Sequence, residues 1–101
     1  MIGRRVATVE EIERPGDYCG PISTEPWTGR KLPMAVAGCF FLLPNALDEG
    51  AQPGQRAVHH VLFPPHTYRE SAGGSLEIRN SIGAQPYWHG FLDEGHVWRE
   101  C

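Results

Sequence analysis

The segment Ala35-Val36-Ala37-Gly38-Cys39-Phe40-Phe41-Leu42-Leu43 is an unbroken apolar run with Pro33 before it and Pro44 after it. Its length, and the presence of Val36, Phe40 and Phe41, read as a central β-strand buried on both faces. On the N-terminal side, Tyr18–Ile22 reads as a first strand. Ser23–Pro33 holds two prolines and a glycine and reads as a loop, with Trp27 folded back over the core. After Pro44 comes a polar connection, Asn45–Gln55, and then a strand at Ala57–Phe63 stopped by Pro64-Pro65. The stretch His66–Gly74 has a mixed pattern that fits neither period. Ser75–Ile82 alternates, with Leu76, Ile78 and Asn80 on one side and Glu77, Arg79 and Ser81 on the other. Tyr87–Leu92 and His96–Trp98 read as a hairpin around Asp93-Glu94-Gly95.

One segment has helical character. Thr8 and Glu11 have capping-box spacing, Val9 and Ile12 lie on one side, and Pro15-Gly16 ends the segment within two turns. The chain has 101 residues, of which Gly 12 and Pro 9 make about a fifth, so its elements must be short. The expected fold is therefore mainly β: one small domain over 1–101, an antiparallel β roll or sandwich with one short N-terminal helix. Leu-Asp-Glu-Gly occurs at 47–50 and again at 92–95; a repeat so short reflects turn chemistry, with glycine supplying the positive φ.

Composition narrows the function classes. Lys+Arg 9 against Asp+Glu 12 gives a net charge of −3, and the basic residues are scattered, which argues against a nucleic-acid partner. The run from Met34 to Leu43 is half the roughly 20 residues a membrane helix needs, and no charged-then-apolar leader pattern appears, so no membrane association is expected. Cys19, Cys39 and Cys101 are odd in number and have no C-x-x-C spacing. The expected compartment is the reducing cytoplasm, with a Cys19–Cys39 bridge left open as an alternative. Monomer and homodimer both remain open.

Two groups of residues resemble a known family. Glu10, Ile12, Pro15, Gly16 and Tyr18 form one group. Gly74-Ser75-Leu76-Glu77-Ile78, Ser81-Ile82, Trp88-His89-Gly90-Phe91-Leu92, Gly95 and Trp98 form the other. Together they resemble the opening and closing patterns of DUF6527, a family of small uncharacterised proteins of phages and bacterial mobile elements, some labelled "ammonia monooxygenase". Many members carry a Cys-Pro-Cys-Gly-Cys cluster near the middle, which suggests a metal site. The matching region here, Val36-Ala37-Gly38-Cys39-Phe40, has a single cysteine. The resemblance implies a β fold and a phage or mobile-element accessory role, such as interference with a host defence complex. It implies no reaction.

Histidine is the reactive type that stands out: His59, His60, His66, His89 and His96. Adjacent His59 and His60 on a strand point to opposite faces, so they cannot share one metal ion. The zinc alternative is a set drawn from His60, His66, His89 and Cys39. Whether His89 and His96 share a face depends on the hairpin register. A three-residue loop at Asp93-Glu94-Gly95 pairs Leu92 with His96 and separates them, and it is preferred because glutamate suits the positive φ of a type I′ turn poorly. Glu77, Asp93 and Glu94 are the candidate acid–base carboxylates for a second alternative, a hydrolase-like enzyme of unknown substrate. No nucleophile elbow, zinc-protease, phosphate-loop or dinucleotide motif accompanies them. The leading expectation is a non-catalytic protein that binds another protein, with no cofactor, through the hairpin residues Tyr87, Trp88, His89 and Trp98.

Overall fold

The apolar run forms β3 (Ala37–Leu42), an inner strand buried along nearly its whole length. This computed structural model describes residues 1–25, 28–32 and 36–101; Trp27 and the first residue of the apolar run, Ala35, lie outside them. Among the described residues, eight short strands make two four-stranded sheets. The N-terminal sheet has the order β1 (Arg4–Arg5), β2 (Asp17–Ile22), β3, β4 (Val58–Phe63). The C-terminal sheet has β5 (Tyr68–Glu70), β6 (Leu76–Ala84), β7 (Trp88–Asp93) and β8 (Val97–Glu100) in sequence order. All neighbours are antiparallel except β1 and β2.

The inward positions of both sheets meet in one core. Tyr18, Cys39, Phe41, Val61 and Phe63 come from the first sheet, and Leu76, Ile78, Ile82, Trp88, Leu92 and Trp98 from the second. The mainly β sandwich expected from the sequence is what forms, but the expected helix is only a 3-10 turn at Val9–Glu11. None of the turn's residues is buried, so tertiary packing does not extend it into an α-helix. The Thr8 hydroxyl donates to the Glu11 carboxylate at 3.2 Å and caps no backbone group.

Three further readings are corrected. The unassigned 66–74 stretch holds β5, a three-residue exposed edge strand. Asn80 does not face inward with Leu76 and Ile78. Between the pairs Ile78–Leu92 and Ile82–Gly90, residues 79–81 stand opposite Phe91 alone. The excess of two residues keeps Ile82 in phase with the core and lets the Asn80 amide turn out, where its oxygen accepts from the Thr67 N–H at 2.9 Å. Third, the β7–β8 loop is three residues long but comprises Glu94, Gly95 and His96, so that Asp93 pairs with Val97 and Leu92 with Trp98. Gly95 has φ 84° and His96 φ 64°, two successive left-handed residues, which displaces the register by two from the expected one.

The N-terminal segment ties the sheets together. Ile2 bridges to Val97 of β8, and Arg4 and Arg5 pair with Asp17 and Tyr18 of β2. The crossing is tight: a Cβ on Gly3 would lie 2.2 Å from the Gly16 carbonyl oxygen. Asp17, 2% exposed at its side chain, accepts from the Arg4 guanidinium at 2.9 Å and from the N–H groups of Glu13 and Arg14, both at 3.0 Å. Burial alone would raise its carboxyl pKa, but the Arg4 bond and the two backbone donors outweigh it and hold the group below the usual carboxylate range.

A depressed pKa gives stability that is present above the unfolded value, near 3.9, and is lost as pH falls through the folded one. Asp17→Asn should therefore cost about 2–3 kcal/mol in urea unfolding at pH 7, and the gap from wild type should close below about pH 4. A gap that is unchanged at about pH 3 would mean that the carboxylate charge is not what stabilises this corner.

Candidate functional site

The alternation Trp88-His89-Gly90-Phe91-Leu92-Asp93 sends Trp88, Gly90 and Leu92 inward and His89, Phe91 and Asp93 outward. The outer face of the C-terminal sheet is thus built from Phe91 of β7, Arg99 of β8, Glu77 and Arg79 of β6, and Arg69 of β5. The Arg99 guanidinium lies over the Phe91 ring, 4.4 Å from its centroid, and donates to Asp93 at 2.8 Å. Around this stack, Arg69 reaches Glu77 at 3.4 Å and Glu94 at 3.7 Å, and Arg79 reaches Glu77 at 3.8 Å. A dimple of about 180 Å³ opens between Phe91, Arg99, Asp93, Glu77 and Arg79. Exposed ion pairs like these stabilise the fold by only about 0–1 kcal/mol each, so this arrangement is not required for folding.

The hairpin residues named from the sequence divide between two environments. Trp88 and Trp98, 5% and 3% exposed, are core residues packed edge to face at 5.7 Å. Tyr87 is half-buried, with its ring against Gly54 and edge-on to His59 at 6.4 Å. His89 is half-buried on the outer face beside the Phe91 stack. Phe91 itself was legible in the same alternation, as the aromatic of the opposite parity, but Arg99 needs the register to be placed over it.

The candidate metal ligands stand in different layers. Cys39 faces the core between the sheets, whereas His60 lies on the outer side of the first sheet beside Phe40. His89 is on the outer side of the second sheet, and His66 bonds the Ser81 carbonyl at 2.9 Å. Among the described residues no three His, Cys, Asp or Glu side chains are grouped to hold a metal ion. His59 turns inward onto Phe41 and bonds the Gly54 carbonyl at 2.7 Å, so it and His60 take opposite faces as the sequence implied. Comparisons of the chain with protein-family models, with curated proteins and with solved structures found no match.

The acid–base candidates Glu77, Asp93 and Glu94 are all committed to arginines on the outer face. A separate polar cluster, missed from the sequence, closes one end of the sandwich. The buried Tyr18 hydroxyl meets Nδ1 of His96 at 2.5 Å and accepts from the Leu76 N–H at 3.2 Å. The buried Ser75 hydroxyl accepts from the Gly95 N–H at 2.9 Å and bonds the Ser71 hydroxyl. Arg5 donates to both oxygens of Glu70, at 2.6 and 2.7 Å, and to the Gly20 carbonyl. Its guanidinium holds the Glu70 carboxyl below the usual range. Burial pushes the Tyr18 hydroxyl pKa up, so it stays neutral. Tyr18 and Ser75 are sealed, and the cluster joins loops rather than opening onto a substrate.

The thiols are free, and Cys19 pairs with Phe40 rather than Cys39, so the two side chains point to opposite faces of the sheet. Burial raises the pKa of both Cys19 and Cys39, whereas Cys101 is exposed. A thiol reagent applied to the native protein at neutral pH should modify Cys101 at least about a hundredfold faster than the other two, and denaturant should abolish the difference. Comparable native rates would contradict the burial of this sheet.

Proposed function

We propose that the chain is a non-catalytic accessory protein that binds another protein through the outer face of its C-terminal sheet. The observation that supports this most directly is the Arg99–Phe91 stack within a field of paired charges on a sheet face that folding leaves uncovered. Arginine and aromatic residues are the types most enriched at the centres of protein interfaces. A dimple of this size accepts one side chain, and the alternating arginines and carboxylates around it select a partner with matching alternate charges. His89 extends the same surface on β7, Trp88 and Trp98 support it from beneath, and Tyr87 packs instead against the core beside His59.

The resemblance of the closing pattern, Trp88-His89-Gly90-Phe91-Leu92 with Gly95 and Trp98, to the DUF6527 family supports an accessory role in a phage or mobile element. In that role the chain acts in the host cytoplasm, and a host defence complex is the partner class such genes address. Among the described residues no helix is long and apolar enough to cross a membrane.

The reading is tested by capture from a host lysate followed by binding measurements on the captured protein. Phe91→Ala and Arg99→Ala should each weaken binding at least about tenfold, since truncating an interface anchor costs roughly 2 kcal/mol. Val58→Ala, on the edge of the other sheet, should bind as wild type does. Retention of full affinity by Phe91→Ala would place the interface elsewhere.

A further inference from the structure

We propose that two copies of this chain pair through the outer edge of β4, antiparallel about a two-fold axis, independently of the outer-face reading above. A sheet edge presents main-chain donors and acceptors to any passing strand, so folded proteins blunt their edges. The two sheets have four edges, formed by β1, β4, β5 and β8, and three of these are blunted. β1 is two residues long, and both are arginines. β5 is three residues long and carries Arg69 and Glu70. The edge of β8 is covered by the N-terminal residues: Ile2 bridges to Val97, and the Trp98 N–H donates to the Met1 carbonyl at 2.8 Å.

β4 has none of these devices. Its residues, Val58-His59-His60-Val61-Leu62-Phe63, include no Asp, Glu, Lys, Arg or Pro. They pair with β3 one for one along their whole length, with no bulge to twist the edge away. Among the described residues no strand lies on the other side. The direction of the main chain follows from its neighbours. The Leu42 carbonyl accepts from the Gly16 N–H at 2.9 Å and so faces β2, which by alternation turns Phe41 and Cys39 toward His59 and Val61. The main-chain groups of Val58, His60 and Leu62 then point away from β3. In keeping with that direction, the Leu62 carbonyl accepts from the His66 N–H at 3.0 Å.

A second copy of the chain suits this edge. Each copy has a net charge of −3, and an uncharged strand is where two like-charged chains meet at least electrostatic cost. With the two-fold axis at His60, Val58, which is 39% exposed, faces Leu62 of the second copy, apolar on apolar. Pairing stops at two copies, because the far edge of the extended sheet is then β1 at both ends.

The test is sedimentation velocity of the full chain from about 5 to about 500 µM, with amide hydrogen exchange at both ends of that range. A dimer with a micromolar Kd is expected, and the Val58 amide should gain protection as concentration rises. Val58→Pro removes an edge N–H that β3 does not use, and Ala57 already has the extended conformation that precedes proline (φ −81°, ψ 155°). It should weaken association at least about tenfold, since the donor is lost twice per dimer. Val58→Lys, which places at an exposed position the charge that natural edges carry, should also weaken it. Both variants should keep the near-ultraviolet circular dichroism of the packed Trp88 and Trp98. Phe91→Ala should dimerise as wild type does, which separates this interface from the outer face of the C-terminal sheet. A monomer throughout the range would overturn the proposal and leave the edge to a strand of another protein. Wild-type association in both folded variants, or its loss in Phe91→Ala, would also overturn it.

Discussion

The Tyr18 hydroxyl is the point on which the two sheets depend. Apolar packing between sheets is non-directional and would tolerate a range of sliding positions. Tyr18 removes that freedom. Its ring stands edge-on to Trp98 at 6.1 Å, and its hydroxyl takes the Leu76 N–H and shares a hydrogen bond with Nδ1 of His96. A fully buried phenol must satisfy these bonds or lose the cost of its desolvation, about 1–3 kcal/mol. One side chain on β2 thereby fixes the starts of both β6 and β8, the ends from which the C-terminal sheet is aligned.

The other contacts at that end follow from this placement. With His96 held by Tyr18, its carbonyl receives the Gly3 N–H at 2.7 Å, and the N-terminal segment can then run from β8 to β2. Arg5 closes the same end from outside through Glu70 and the Gly20 carbonyl. The reactive side chains gathered there are therefore used for alignment. Folding leaves the outer face of the C-terminal sheet uncovered, and there the register of β8 sets Arg99 above Phe91.

Much of the fold was legible because it depends on local pattern. The apolar run gave β3, prolines marked strand ends, and both Leu-Asp-Glu-Gly copies do form turns with glycine at φ near 80° (Gly50 81°, Gly95 84°). The parts that were not legible depend on exceptions to local rules or on distant partners. The hairpin register turned on His96, a non-glycine residue in the left-handed region, held there by a tyrosine 78 positions earlier. The outward turn of Asn80 needed a bulge that alternation cannot announce. Thr8 and Glu11 carry helix-start chemistry, but no buried face follows to reward a helix. Trp88, His89 and Trp98 do lie on one hairpin, with Tyr87 in the turn just before it, yet inward and outward aromatics could be separated only once Leu92 was seen opposite Trp98.

The most direct test of this account is native-state amide hydrogen exchange of the wild type and Tyr18→Phe, read residue by residue. If the hydroxyl aligns the sheets, the Leu76 and Gly3 amides lose protection in the variant by at least about tenfold more than amides in the centre of β3, reflecting about 1–2 kcal/mol of local destabilisation. Uniform loss across both sheets, or no loss at Leu76, would contradict it and leave apolar packing alone as the force that sets the sheets against each other.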